Sequence, residues 1–134
     1  IDPLALGAAI CAIVADYRLV EGAGGWMVPL GQKSMTVDLA RACGAEIILV
    51  VGIRLGCINH ALLTARAIIA DNMRLVGWIA NHTQADIPDA DDIIDTISST
   101  LGAPLGTCRF QPSPADAREL ADSISSRCGK EKKH

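Results

Sequence analysis

At 134 residues, the chain holds one domain's worth of sequence or less. Half of its residues are hydrophobic but only 3% are aromatic, so its core must be built from Ala, Ile, Leu and Val, as in parallel sheets buried on both faces. A net charge of −3 without a basic face argues against nucleic acid as a partner, and no apolar run approaches the ~20 residues of a membrane span. The cysteines Cys11, Cys43, Cys57, Cys108 and Cys128 are odd in number, show no Cys-x-x-Cys spacing, and no His lies at zinc-ligand spacing from two of them. They read as free thiols of a reducing cytoplasm. No stretch of the sequence reads as a signal peptide, so none is expected, and the chain opens on Ile1 rather than Met, part-way into an expected helix, as a processed or truncated chain would.

In chain order, residues 1–14 are rich in Ala, Leu and Ile and predict a helix, with Asp2 as N-cap and Pro3 in the first turn. Residues 18–20 close an apolar run that ends in Glu21, which predicts a strand. Gly22, Gly24 and Gly25 follow, then Trp26 and Pro29, in a loop expected to reach about Lys33. Ser34 or Thr36 is placed to cap a short helix over 37–43 that Gly44 ends. Residues 46–52 form a continuous apolar run, the pattern of a strand buried on both faces. A loop over 54–60 leads into a helix over about 58–70, and residues 74–80 read as a third strand ending at Asn81-His82. Strand, helix, strand at this spacing demands a parallel pair with a right-handed crossover.

Residues 84–92 are polar and acidic, and lead into a helix over about 89–101. Asp86, Asp89, Asp91 and Asp92 suggest either a metal site or the ordinary enrichment of Asp at a helix start, and the second reading is preferred. Residues 103–108 form a short strand, 115–127 a last helix, and 129–134 a solvated basic tail expected to be disordered. The fold class is therefore α/β, a parallel sheet flanked by helices, with residues 1–128 expected to be the C-terminal part of a single domain.

Three loops then follow three strands, and in a parallel sheet all three should leave the same edge, where open α/β sheets bind ligands. Glycines let the backbone approach a ligand and present its N–H groups. Glu21 is a hard oxygen donor suited to Mg²⁺. A strand, glycine turn and helix with no ligand is the competing reading of this stretch. The helix start at Cys57–Asn59 is an anion site by its free amides and dipole, although Asn59 is equally placed to cap the helix. His60 reads as a packed or capping residue rather than a base, since no nucleophile is paired with it. Cys57 lies where helix starts favour thiolates, but nothing puts a base beside it, so it reads as structural. Trp26 and Trp78 read as packing residues.

Three segments stand in order: Val20-Glu21-Gly22-Ala23-Gly24-Gly25-Trp26 with Pro29-Leu30, Leu55-Gly56-Cys57-Ile58-Asn59-His60-Ala61-Leu62-Leu63-Thr64, and Gly77-Trp78-Ile79-Ala80-Asn81. Together they resemble the dethiobiotin synthetase family from Ile1 to about Gly106. The resemblance implies a P-loop NTPase-like, Rossmann-like three-layer α/β fold, acting as a homodimer. It also implies ATP- and Mg²⁺-dependent carboxylation of 7,8-diaminopelargonate: one amine captures CO₂ as a carbamate, the carbamate accepts a phosphoryl group from ATP, and the second amine closes a ureido ring. By this resemblance Glu21 matches the Mg²⁺-binding Glu. Gly22, Ala23 and Gly24 match the loop beside nucleotide and substrate, and Asn81 matches the adenine-reading Asn. Gly56, Cys57 and Asn59 match the helix start that receives the substrate carboxylate across the dimer.

Two departures accompany the resemblance. The family's Gly-Lys-Thr phosphate loop, with the lysine and aspartate near it, belongs upstream of Ile1, so the fold is expected to be incomplete at its N-terminus and the absent segment to act as a partner. Lys33 and Lys130 stand in no Gly-x-x-x-x-Gly-Lys-Ser/Thr context and cannot replace it. At Cys108-Arg109-Phe110, Arg109 replaces the proline expected beside the adenine pocket, which bears on nucleotide preference, while Phe110 can still flank a base. Two other functions compete with the synthetase: a related P-loop domain of another ATP-dependent enzyme, and a truncated, non-catalytic dimerisation or regulatory module.

Overall fold

A computed structural model describes residues 1–128. The expected tail at 129–134 lies outside the described residues. Eight elements follow in order: α1 (Pro3–Cys11), α2 (Thr36–Ala42), β1 (Ile47–Ile53), α3 (Cys57–Ala70), β2 (Leu75–His82), α4 (Ala90–Leu101), β3 (Gly106–Cys108) and α5 (Pro114–Cys128). The strands form one parallel sheet in the order β1-β2-β3. Each step to the next strand passes through one helix, α3 and then α4, which pack on each other and on the sheet.

Register decides the layers. Val51, Ile53, Trp78 and Ala80 face α3 and α4 and join Cys57, Ala61 and Ile97 in the core. Fully burying Trp78, Ile53, Ile68 and Ile97 stabilises the fold by roughly 1.5–3 kcal/mol per side chain. Side chains alternate along a strand, so Val50, Ile79 and Gly106, which share register, face the other way. There α5 covers the β3 side. Gly106 lets it approach, since a Cβ at that position would lie 2.5 Å from Leu120 Cδ1. At the β1 side of the same face, Val50 is 57% exposed.

The caps have identifiable chemistry. Asp2 accepts the amide of Leu4 at 2.9 Å, as its type and position foretell. Gly44, at φ 58°, ends α2 through a pair of bonds, Gly44 N–H to the Arg41 carbonyl and Ala45 N–H to the Ala40 carbonyl, at 3.1 and 3.0 Å. Ser113 and Asp116 cap α5 reciprocally, with Asp116 Oδ2 accepting the Ser113 amide at 2.9 Å and Ser113 Oγ accepting the Asp116 amide at 3.2 Å.

The structure departs from the sequence reading at four places. Residues 18–20 form no strand: Tyr17 and Leu19 are 65% and 92% exposed. A strand requires a neighbouring backbone to pair with, and among the described residues none pairs with this run. Arg18 instead donates to the Cys11 and Ile13 carbonyls at the end of α1. Neither Ser34 nor Thr36 caps α2. Met35 is its N-cap, with the Met35 amide bound to Asp38 Oδ2 at 2.8 Å, and the Thr36 hydroxyl turns to the carbonyls of Gly25 and Trp26. Asn59 does not cap α3; the N-cap is Gly56, at φ 85°. The last strand is confined to Gly106–Cys108.

Candidate functional site

The three strands end level with one another. Gly52 pairs with Asn81 and Asn81 with Cys108, so the loop over 54–56, the Asn81-His82 end of β2, and Arg109-Phe110 leave one edge together. Gly56 makes the turn into α3 in the left-handed region, where a side chain is strained. The Cys57 amide is taken by the Arg54 carbonyl at 3.1 Å. The amides of Ile58 and Asn59 have no carbonyl one turn back inside the helix, and no side chain caps them. The positive end of a 14-residue helix therefore presents free N–H groups at this edge. The Cys57 side chain is buried in the core, so only its backbone faces the site, whereas the Asn59 side chain is exposed.

Asn81 is half-buried, and its side-chain amide hydrogen bonds to no other described residue. It thus offers one donor and one acceptor to an incoming group. Thr83, which the sequence reading passed over, helps hold this edge: its hydroxyl donates to the Ile53 carbonyl at 3.4 Å, and its methyl lies where a Cβ on Gly52 would come within 3.2 Å. A hydroxyl two residues past the strand-end Asn was the available signal. Beyond β3, Phe110 is 44% exposed. Arg109 lines a depression of about 210 Å³ with Thr107, Asp116 and Glu119. Hydrogen bonds from the Ser113 hydroxyl and amide hold the Asp116 carboxyl below the usual carboxylate range, with Arg109 adding to the effect.

The glycine loop is anchored elsewhere. The Trp26 indole bonds to Asp71, the C-cap of α3, and the 28–36 segment folds back on itself through Leu30 N–H to Ser34 O at 2.8 Å and Thr36 N–H to Val28 O at 2.9 Å. Asp71 and Gly56 lie at opposite ends of α3, on the order of 20 Å apart. Of the three loops expected at one edge, two are there, joined by Arg109-Phe110. No hydrogen bond or ion pair among the described residues joins Glu21, Gly22, Ala23 or Gly24 to Gly56, Cys57, Asn59, Asn81, Arg109 or Phe110. Gly24 takes φ 96° and packs so that a Cβ would lie 2.9 Å from Val28 Cγ2.

The Glu21 carboxylate is exposed and has no partner among the described residues. No group of three His, Cys, Asp or Glu side chains among those residues forms a closed metal site; Asp89 is the N-cap of α4, and Asp91 and Asp92 lie in its first turn. A single free carboxylate fits the way Mg²⁺ binds in phosphate sites, through one or two carboxylates with phosphate oxygens and waters completing the shell. No helix among the described residues is long and apolar enough to cross a membrane.

A family model described as an AAA domain matches residues 10–109. With the parallel sheet and its crossover helices, this defines the class: a P-loop NTPase-like α/β domain. Within that class the chain belongs to the dethiobiotin synthetase family. It is 46% identical over 112 residues to the ATP-dependent dethiobiotin synthetase of Janthinobacterium sp. (strain Marseille), covering 81% of this chain and 48% of that protein. It is 49% identical over 105 residues to the enzyme of that name from Cellvibrio japonicus, covering 77% and 46%. The corresponding protein of Aromatoleum aromaticum is 44% identical over 126 residues, covering 92% and 56%. The chain spans about half the length of the curated relatives it matches.

Proposed function

We propose that this chain supplies the base-reading and carboxylate-binding half of an ATP-dependent dethiobiotin synthetase, the ligase of biotin biosynthesis that closes a ureido ring on 7,8-diaminopelargonate with CO₂. The observation that carries the reading is the meeting, at one sheet edge, of the open α3 N-terminus and the unpartnered amide of Asn81. The amides of Ile58 and Asn59, with Gly56 and Cys57 shaping the turn, suit a substrate carboxylate. Asn81 suits the donor and acceptor of an adenine edge, and Phe110 suits its ring face. Arg109 beside that face bears on which nucleotide is preferred.

Mg²⁺ bound at Glu21 would offset phosphate charge. For Glu21, Gly22, Ala23 and Gly24 to reach the same edge, residues 17–20 must pair as a strand. We infer that the remainder of a family-length protein provides the neighbouring strand, together with the phosphate loop and its lysine. Exposed Leu63 and Ile69 on α3 support a homodimer built on that helix. Free thiols throughout the described residues accord with a cytoplasmic enzyme.

Residues 1–134 alone are then inactive, because no segment within them cradles phosphates with a Gly-Lys-Ser/Thr loop. The test is to assay this chain, a polypeptide carrying the remaining part of a family-length synthetase, and their mixture for dethiobiotin formation with saturating Mg²⁺ and ATP. Only the mixture should turn over, and Glu21→Gln in this chain should abolish that turnover. Full activity from residues 1–134 alone would refute the proposal, and near-parental turnover by Glu21→Gln would remove Glu21 from the metal site.

A further inference from the structure

Two cysteines far apart in sequence meet where α1 and α2 cross. The helices approach closely at Gly7, where an added Cβ would lie 2.7 Å from Ala42 Cβ and 3.1 Å from the Ala42 carbonyl carbon. Cys11 is one turn beyond Gly7 on the same face of α1, and Cys43 is the residue after Ala42. At this crossing Cys11 Sγ lies 3.8 Å from the Cys43 carbonyl oxygen. Standard bond lengths then put that sulfur within about 6.5 Å of the Cys43 Cα, so the two cysteines are near neighbours across the crossing. Both thiols are free; Cys11 is exposed and Cys43 half-buried, so a small disulfide reagent can reach the pair.

A cation completes the arrangement. Arg18 folds back and donates to the Cys11 and Ile13 carbonyls, the latter at 3.3 Å, which sets a guanidinium beside the crossing. Partly exposed thiols next to a positive charge are the reactive ones. Burial pushes the Cys43 thiol up, and a charge on Cys11 pushes it further, while Arg18 acts in the opposite sense. Cys11 is the more exposed of the two thiols, so a dissolved disulfide reaches it first.

We propose that Cys11 and Cys43 form a reversible thiol–disulfide pair, closed by oxidised glutathione, which staples α1 to α2 at the base of the segment that carries the glycine loop. The Cys11 thiolate attacks one sulfur of glutathione disulfide, breaking its S–S bond and releasing one glutathione thiolate. The Cys43 thiolate then attacks the Cys11 sulfur of the mixed disulfide and releases the second glutathione. Two protein thiols lose two protons and two electrons, and glutathione disulfide becomes two glutathione thiols. The closed ring contains Glu21, Gly22 and Gly24, so the staple limits how far this loop and α2 can move apart.

The experiment titrates the folded 134-residue chain with glutathione disulfide, blocks remaining thiols by alkylation and maps cross-linked peptides without reduction. A Cys11–Cys43 peptide should be the dominant product, dithiothreitol should reverse it, and either Cys11→Ser or Cys43→Ser should eliminate it. Cys128→Ser should leave it intact. The same oxidation in guanidinium should scatter the pairings, which separates a folded-state preference from chance. The oxidised chain should melt about 5 °C or more above the reduced chain, and Cys11→Ser should show no such gain. A persistent glutathione adduct on Cys11 with Cys43 still alkylated, or a dominant link to Cys57, Cys108 or Cys128, would overturn the proposal.

Discussion

The Trp26 indole N–H donates to Asp71 Oδ2 at 2.7 Å, joining residues 45 positions apart. Arg41 of α2 reaches the same residue, with Nη2 3.2 Å from the Asp71 carbonyl oxygen and 3.4 Å from Oδ1. One C-cap residue thus holds the glycine loop, α2 and the end of α3. Trp26→Phe removes a single hydrogen bond and should cost about 1 kcal/mol in urea unfolding. Asp71→Ala removes the Trp26 acceptor and one of the two acceptors of Arg41, whose bond to the residue-71 carbonyl remains, and should cost more, about 2 kcal/mol. The Arg41 contribution stays small because its side chain is half-exposed. An Asp71→Ala variant as stable as the parent would show that the loop is held by other contacts.

Gly7→Ala tests the helix crossing. In an open helix this change would stabilise by about 1 kcal/mol. Here the new methyl meets the Ala42 Cβ and backbone, which cannot swing aside as a long side chain would. Overpacking of this kind costs about 1–3 kcal/mol, so a net loss is expected. A rise in the unfolding midpoint would mean that α1 and α2 do not pack this closely. The same variant should slow formation of the Cys11–Cys43 link, since it pushes the two helices apart.

Asn81→Ala, placed in a complete enzyme, should raise the apparent Kd for ATP by roughly 5- to 150-fold, the equivalent of ~1–3 kcal/mol for a lost polar contact. On the proposed reading the maximal rate should change much less, since a residue that reads the base does not touch the transferred phosphoryl group. Isothermal titration with a non-hydrolysable ATP analogue measures this directly. An unchanged affinity would take Asn81 out of the nucleotide site.

The cap of α5 gives a pH dependence of known sign. The Asp116 carboxyl is held low by the Ser113 hydroxyl and amide, so its folded pKa lies below its unfolded one. Its contribution to stability is therefore complete above the unfolded value and is lost as pH falls through the folded value. Ser113→Ala removes the hydroxyl, the largest cause, and should move the Asp116 pKa upward toward the ordinary carboxylate value in a carbon-detected NMR titration. The variant should also fray the first turn of α5. A pKa that does not move would assign the depression to the residue-113 amide and Arg109 instead.

Much of the fold was legible because its signals are local. The apolar run at 46–52 has one physical outcome, a strand buried between layers, and β1 lies there at Ile47–Ile53. Asp2 and Gly44 carry side-chain or backbone properties that act within one turn, and both do what their types imply. Residues 55–59 with Asn81 could be placed at one edge because parallel strands with right-handed crossovers leave no other arrangement.

What the sequence could not decide depends on partners distant in the chain. Residues 17–20 have strand composition, yet a strand exists only where another backbone accepts its hydrogen bonds, and no described strand does so. Thr36 has the chemistry of an N-cap, but its hydroxyl is claimed by Gly25 and Trp26 across the loop, so the cap falls to Met35 and Asp38. Trp26 is legible as an apolar body; that its indole would find Asp71 at the end of α3 is a matter of tertiary geometry. Periodicity, caps and turns depend on neighbours a few residues away and so are written in the sequence. The placement of the glycine loop and the meeting of Cys11 with Cys43 depend on which surfaces the packed helices leave to each other, and only the tertiary structure decides that.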